Sequence, residues 1–215
     1  MKKIYLYLAV LSLCFASCKK EVKVENDTTT TDTTAVANES ANAAKPMDSA
    51  AAAQEWMAYA TPGEMHKMMA TETGKWNCEM TFWENEGAEP QKSTCTADVK
   101  MAMGGRYQVG DYKGKMMGMD FEGKSTMAYN NASNEFTSSW IDNMGTGMMV
   151  MKGKMNADGK SMTLHGEMTD PLTKGVCKTR EVYTVVDDNT RKMEMFDTKG
   201  NAKEYKSMEL VMKRS

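Results

Sequence analysis

Eight consecutive residues restrict the fold of this chain more than any others. In Lys75-Trp76-Asn77-Cys78-Glu79-Met80-Thr81-Phe82, large apolar side chains alternate strictly with polar ones. Trp76, Cys78, Met80 and Phe82 fall on one face of an extended chain, and Lys75, Asn77, Glu79 and Thr81 on the other. A period of two marks a strand with one dry and one wet face. Gly74, just before it, leaves room for the chain to close tightly beside the bulky Trp76. The same pattern returns at the far end, where Met208, Leu210, Met212 and Arg214 share a face. The two strands are expected to pair and close a barrel. An inward Arg214 would then lie over the Trp76 ring, a cation–π contact worth about 0.5–2 kcal/mol.

Between these ends the chain reads as strands and tight turns. Strands are predicted near 75–84, 93–103, 105–112, 117–121, 125–130, 135–142, 147–155, 160–168, 176–186, 191–197 and 203–213. The punctuation is Gly104-Gly105, Asn130-Asn131-Ala132-Ser133-Asn134, Asn156-Ala157-Asp158-Gly159, Asp187-Asp188-Asn189 and Lys199-Gly200-Asn201. Many short strands joined by short turns favour a mainly β fold, an antiparallel up-and-down barrel. Two short helices are expected ahead of it. Asp48 caps Ser49 to Ala60. Thr61-Pro62-Gly63-Glu64 restarts the helix with Thr61 as N-cap, Pro62 at the first position and Glu64 completing a capping box. Met65, Met68 and Met69 form an i, i+3, i+4 stripe that covers one mouth or side of the barrel.

The N-terminus carries an address. Lys2 and Lys3 precede an apolar run from Ile4 to Phe15, followed by Ala16-Ser17-Cys18. A charged start, a short apolar stretch and small residues describe a secretory signal, and the run falls short of the ~20 residues that span a bilayer. The small residues before Cys18 resemble the lipobox of bacterial lipoproteins. The resemblance implies cleavage before Cys18, a lipid on its sulfur, and anchoring in the cell envelope at the outer membrane. The domains expected are therefore 1–17 signal, 18–46 tether and 47–215 barrel domain. The tether, rich in Thr, Ala and Asn without aromatics, has little to bury. Loss of Lys2 and Lys3 with the signal takes the net charge from −2 to −4. No basic patch stands out, so nucleic acid is not an expected partner.

Cys78 and Cys95 fall on the apolar faces of strands expected to form a hairpin. They either bridge, which requires Cα atoms within about 7 Å, or remain buried thiols together with Cys177.

Gly74-Lys75-Trp76 with the late Arg214 resembles the Gly-x-Trp plus arginine signature of the lipocalin/calycin superfamily. A second resemblance covers most of residues 61 to 214. The blocks Thr61-Pro62-Gly63-Glu64 with His66, Gly74-Lys75-Trp76, Gly104-Gly105-Arg106-Tyr107, Phe121-Glu122-Gly123, Tyr129-Asn130-Asn131 and Ser139-Trp140-Ile141-Asp142 with Thr146 are similar to those of the bacterial DUF1579 family. Where that pattern leads one to expect Gly-Tyr-Asp-Asn, this chain has Ala128-Tyr129-Asn130-Asn131, one carboxylate fewer. The family implies a domain and no activity.

Few residues invite chemistry. His165 is opposite in parity to Met162, Leu164 and Met168 and so faces outward, while His66 lies on the second helix. No zinc-type spacing such as H-E-x-x-H or C-x-x-C occurs, and neither G-x-S-x-G nor a phosphate loop is present. No metal or cofactor is expected. The 24 methionines stand out. Beyond residue 18 the only leucines are Leu164, Leu172 and Leu210, and the only isoleucine is Ile141. Pairs such as Met101/Met103, Met117/Met119, Met149/Met151 and Met193/Met195 sit at strand spacing. The reading favoured is that methionine fills the core in their place, ahead of a copper(I) site or an oxidant sink.

Trp140, Asp142 and Phe136 share a face, taken as inward. An inward Asp142 needs a partner, and Arg106, Tyr107 or His66 at a barrel mouth is expected to supply it. Asp142 then acts either as a polar clamp or as an anchor for a ligand head group. The leading reading is a lipid-anchored barrel that binds a small apolar or amphipathic molecule. Its candidate site residues are His66, Trp76, Phe82, Arg106, Tyr107, Tyr129, Trp140 and Asp142. The alternatives are an enzyme using His66 and Asp142 together, and a structural or protein-binding lipoprotein.

Overall fold

The computed structural model describes residues 48–215. The expected signal segment, the expected lipidation of Cys18 and the expected tether lie outside the described residues.

Two helical pieces, α1 (Ser49–Ala60) and α2 (Glu64–Ala70), precede ten strands. These are β1 (Gly74–Phe82), β2 (Gln91–Ala102), β3 (Tyr107–Met116), β4 (Met119–Asn130), β5 (Glu135–Asp142), β6 (Met149–Met155), β7 (Ser161–Thr169), β8 (Val176–Asp187), β9 (Thr190–Lys199) and β10 (Tyr205–Arg214). Each strand pairs antiparallel with its chain neighbour, and β10 pairs with β1, so the sheet closes into an up-and-down barrel. Closure leaves no free sheet edge. The closing register runs from Trp76 opposite Arg214 to Phe82 opposite Met208. Inward parity in β1 is as the alternation predicts, with Trp76, Cys78 and Met80 buried. Cys78 and Cys95 are direct cross-strand partners, and both are buried thiols here, as is Cys177.

Ten strands replace the eleven expected, and the difference lies at 105–130. The segments 105–112, 117–121 and 125–130 are two long strands, β3 and β4, folded about Met117-Gly118. Both turn residues have positive φ, 51° and 80°, as primed two-residue hairpins require. Gly114 and Gly123 lie mid-strand, where neighbours pass close. A Cβ on Gly114 would stand 2.4 Å from the Thr94 carbonyl oxygen. Gly114→Ala is therefore expected to cost about 1–3 kcal/mol through forced backbone shifts. In a domain of this size each kcal/mol lowers the melting temperature by roughly 2–4 °C. An unchanged thermal midpoint would contradict the tight β2–β3 approach.

The helices differ at their junction. Asp48 caps α1 as expected, its Oδ1 accepting from the amides of Ala50 (2.8 Å) and Ala51 (3.1 Å). Thr61, however, does not cap α2. It stays extended, and its hydroxyl donates back to the Met57 carbonyl at 2.6 Å. Gly63 is the N-cap of α2, and His66 Nδ1 accepts from the Gly63 amide at 3.1 Å. Glu64 instead pairs with Lys67 on the exposed face. Asn131 holds the junction, its amide donating to the carbonyls of Ala58, Tyr59 and Thr61. α1 itself buries no residue, and Trp56, Met57 and Tyr59 on it are exposed.

α2 covers the barrel end where β1 begins. Met69 is buried, and Met65 and Met68 pack beside it on Phe136, Met151, Met162 and Leu164. Among the described residues, the opposite end is crossed by turns and loops. Its rim exposes Met117, Met119, Met144, Met148, Leu172 and Val176.

Candidate functional site

Inward parity on ten strands, with α2 across one end, leaves an internal cavity of about 280 Å³. Its lining runs from Met68, Met69 and Glu72 beneath the helix to Phe82, Met116 and Asp142, the last residues of β1, β3 and β5. The cavity therefore extends from beneath α2 toward the opposite end of the barrel. The wall is mostly thioether and ring, including Met80, Met127, Met149, Met151, Met162, Met193, Met195, Met208 and Met212 with Tyr112, Phe121 and Trp140. Methionine adapts to irregular apolar surfaces, so such a wall tolerates ligands of varied shape. The expected core pairs divide. Met149/Met151 and Met193/Met195 line the cavity. Met103 and Met117 instead occupy turns at positive φ and are exposed, as is Met119.

Trp140 lines the cavity toward that opposite end. It packs edge-on against Tyr112, with ring centres 5.0 Å apart, and lies near-parallel to Phe121. Gly123 makes room for it, since a Cβ there would come within 2.5 Å of the indole. Asp142 is inward as expected but takes none of the three partners proposed for it. Its Oδ2 accepts from the Trp140 indole N–H at 2.6 Å, and Oδ1 from the Met144 amide at 2.9 Å.

The structure separates the other candidates. His66 is buried under α2, edge-on to Tyr129, and burial lowers its affinity for a proton. Tyr129 in turn packs on Phe136, six residues from Asp142 on β5. At ~3.3 Å per residue, His66 and Asp142 sit roughly 20 Å apart at opposite ends of the barrel. The acid–base pair considered for an enzyme is not assembled. Arg106 donates to the Met103 carbonyl within its own turn, and Tyr107 is exposed. Of the eight candidates, Phe82, Trp140 and Asp142 line the cavity. Trp76 belongs to the core at the closed end. His165 is exposed, as its parity required. Asn130, which stands where a carboxylate was expected, caps the β4–β5 turn by accepting from the Ala132 and Ser133 amides.

Reasoning from sequence missed the polar groups beneath the helix and at mid-barrel. Glu72 follows α2 and is buried. Its carboxylate accepts from Tyr183 O–H (2.7 Å) and Gln108 Nε2 (2.9 Å). Arg191, 2% exposed, holds its Nε 3.4 Å from Glu72 Oε1, an ion pair without hydrogen-bond alignment. The Arg191 guanidinium also donates to the carbonyls of Asp187 and Thr190 and lies 5.3 Å from the Trp76 ring centre. Burial still outweighs these donors and raises the Glu72 carboxyl above its ordinary value. Glu181 on β8 also lines the cavity, and burial alone pushes its carboxyl up to about 7. The available signal was parity, since Cys177, Thr179, Glu181 and Tyr183 alternate on one face. Polar residues on both faces of β8 hid it.

A closed, antiparallel, calycin-like barrel with an apolar interior and one helix-covered end is the class these features define. The chain belongs to the family described as "Protein of unknown function (DUF1579)", which matches residues 61–214. No curated protein matches it. Among solved structures, Rv2717c from M. tuberculosis is similar in fold, with a TM-score of 0.53 at 10% identity over 72% of this chain and 99% of that one. A redesigned β-barrel overlaps at a TM-score of 0.38 and 13% identity, over 71% of this chain and 99% of that one.

Proposed function

We propose that this protein binds a small apolar or amphipathic molecule inside its barrel, working from the cell envelope on a lipid carried by Cys18. The cavity carries the reading. Its ~280 Å³ stand near the lower end of ligand pockets, which run from about 300 to 1,000 Å³. Its wall is apolar with a few polar groups, the usual make-up of a ligand pocket. The exposed methionines at the end opposite α2 suit the approach of an apolar guest. The lipobox-like sequence before Cys18 supports the envelope address.

A guest of about ten carbons fits this scale. At about 0.8 kcal/mol per buried methylene, the gain before costs is about 8 kcal/mol, which caps affinity near micromolar. Decan-1-ol titrated into the protein by calorimetry is expected to bind at a single site. Ser138→Phe, which fills the cavity from β5, is expected to weaken that binding at least about tenfold. Absence of binding by the native protein, or equal binding by the filled variant, would refute the cavity reading.

A further inference from the structure

Three carboxyl groups line the cavity, Glu72, Asp142 and Glu181, and among the described residues no lysine, arginine or histidine does. Two of the three are committed. Glu72 accepts from Tyr183 and Gln108, and Asp142 from Trp140 and the Met144 amide. Glu181 is different. Among the described residues nothing donates to its carboxyl, and burial is the only influence on it. Its cross-strand neighbours are Leu164 and Met195, both buried. Its inward neighbours along β8 have hydroxyls already in use, Thr179 on Asp197 at 2.8 Å and Tyr183 on Glu72. A buried carboxyl without a donor is costly, and the alternation of the strand would suit an apolar side chain there. The group is therefore held against the stability of the fold and aimed into open space.

We propose that the cavity takes an amphipathic cation, a protonated amine on a hydrocarbon body, with the ammonium at Glu181 and the body among the methionines. This rests on the cavity reading above and names its ligand class. The ammonium supplies the donors that Glu181 lacks, and a charge-assisted hydrogen bond is roughly twice as strong as a neutral one. Tyr112 and Trp140 also line the cavity, and an aromatic ring attracts a cation, not an anion, over its face. A carboxylate of equal length would meet three carboxyls and, among the described residues, no basic side chain in the lining, Arg191 being spent on Glu72 behind it, the kind of clash that produces selectivity.

Calorimetry near pH 8 with decylamine, decan-1-ol and decanoate, the two ions below their micellar concentrations and the alcohol below its solubility limit, tests the assignment. In the native protein, decylamine is expected to bind at least about tenfold tighter than decan-1-ol, with decanoate weakest. In Glu181→Gln the ratio of amine to alcohol affinity is expected to fall to near one. Glu181→Met serves as a second variant should the glutamine chain fail to fold. If none of the three binds, the cavity reading falls and this one with it. If decan-1-ol binds without a preference for the amine, or the preference survives in the folded variants, the cavity stands and the cation assignment is overturned.

Discussion

Glu181→Met is expected to stabilise the barrel by about 3 kcal/mol above pH 7, and by much less below pH 4.5. The folded protein holds the Glu181 carboxyl at about 7 against an ordinary 4.5, because burial penalises the charged form. Between those values the folded state binds more protons than the unfolded chain, so its stability falls as pH rises through that window. Below 4.5 both states are protonated and the charge penalty vanishes. Above 7 it is complete, at 1.36 kcal/mol per pKa unit. Methionine is close in size and matches the surrounding wall, so it removes the penalty with little packing cost. Melting curves of the two proteins from pH 4 to 8 check this. The midpoints should diverge across pH 4.5–7 and end roughly 6–12 °C apart. Parallel curves would mean that the carboxyl finds a partner or water in solution. A position that costs stability and faces a cavity is the pattern expected of a functional residue.

Trp76→Ala is expected to cost at least about 3–5 kcal/mol, the usual loss for a large buried side chain. Domains of ordinary stability have only about 5–15 kcal/mol in all. Trp76 is fully buried, and its indole N–H donates to the Glu72 carbonyl at 2.8 Å. The Arg214 guanidinium lies 4.3 Å from its ring centre, as the spacing of the closing strands predicts, and that guanidinium donates to the carbonyls of Thr71 and Thr73. The ring thus sits where β1, β10 and the end of α2 meet. Removing it leaves a cavity beneath two arginines and strands the Glu72 carbonyl. Trp76→Phe keeps most of the apolar body and loses the N–H, so a smaller cost of about 1–3 kcal/mol is expected. Denaturant unfolding of both variants checks the order. An alanine variant as stable as the native chain would show that closure does not depend on this ring.

Local pattern carried much of the fold. Side-chain direction along a strand follows from backbone geometry with a period of two. Trp76, Cys78, Met80, Phe136, Trp140 and Asp142 could therefore be placed inward from their neighbours alone. The pairing of Trp76 with Arg214 followed from the same parity at the two chain ends. Strand ends at 105–130 are not legible in this way, because glycine can serve both as a turn residue and as a site of close approach. Only the position of Thr94 beside Gly114, and of Trp140 beside Gly123, separates the two uses.

Partnership was not legible. Asp142 takes its donors from Trp140 and the Met144 amide rather than from Arg106, Tyr107 or His66. Glu72 and Arg191 meet although more than a hundred residues of chain separate them. By itself the sequence determined that these strands have a dry face and that the first and last would close. Only the tertiary structure decided that Glu181 faces a cavity while the hydroxyls of Thr179 and Tyr183 beside it are engaged elsewhere. Alternation is a property of the local backbone, whereas the hydrogen bonds open to a carboxyl depend on which distant strands surround it.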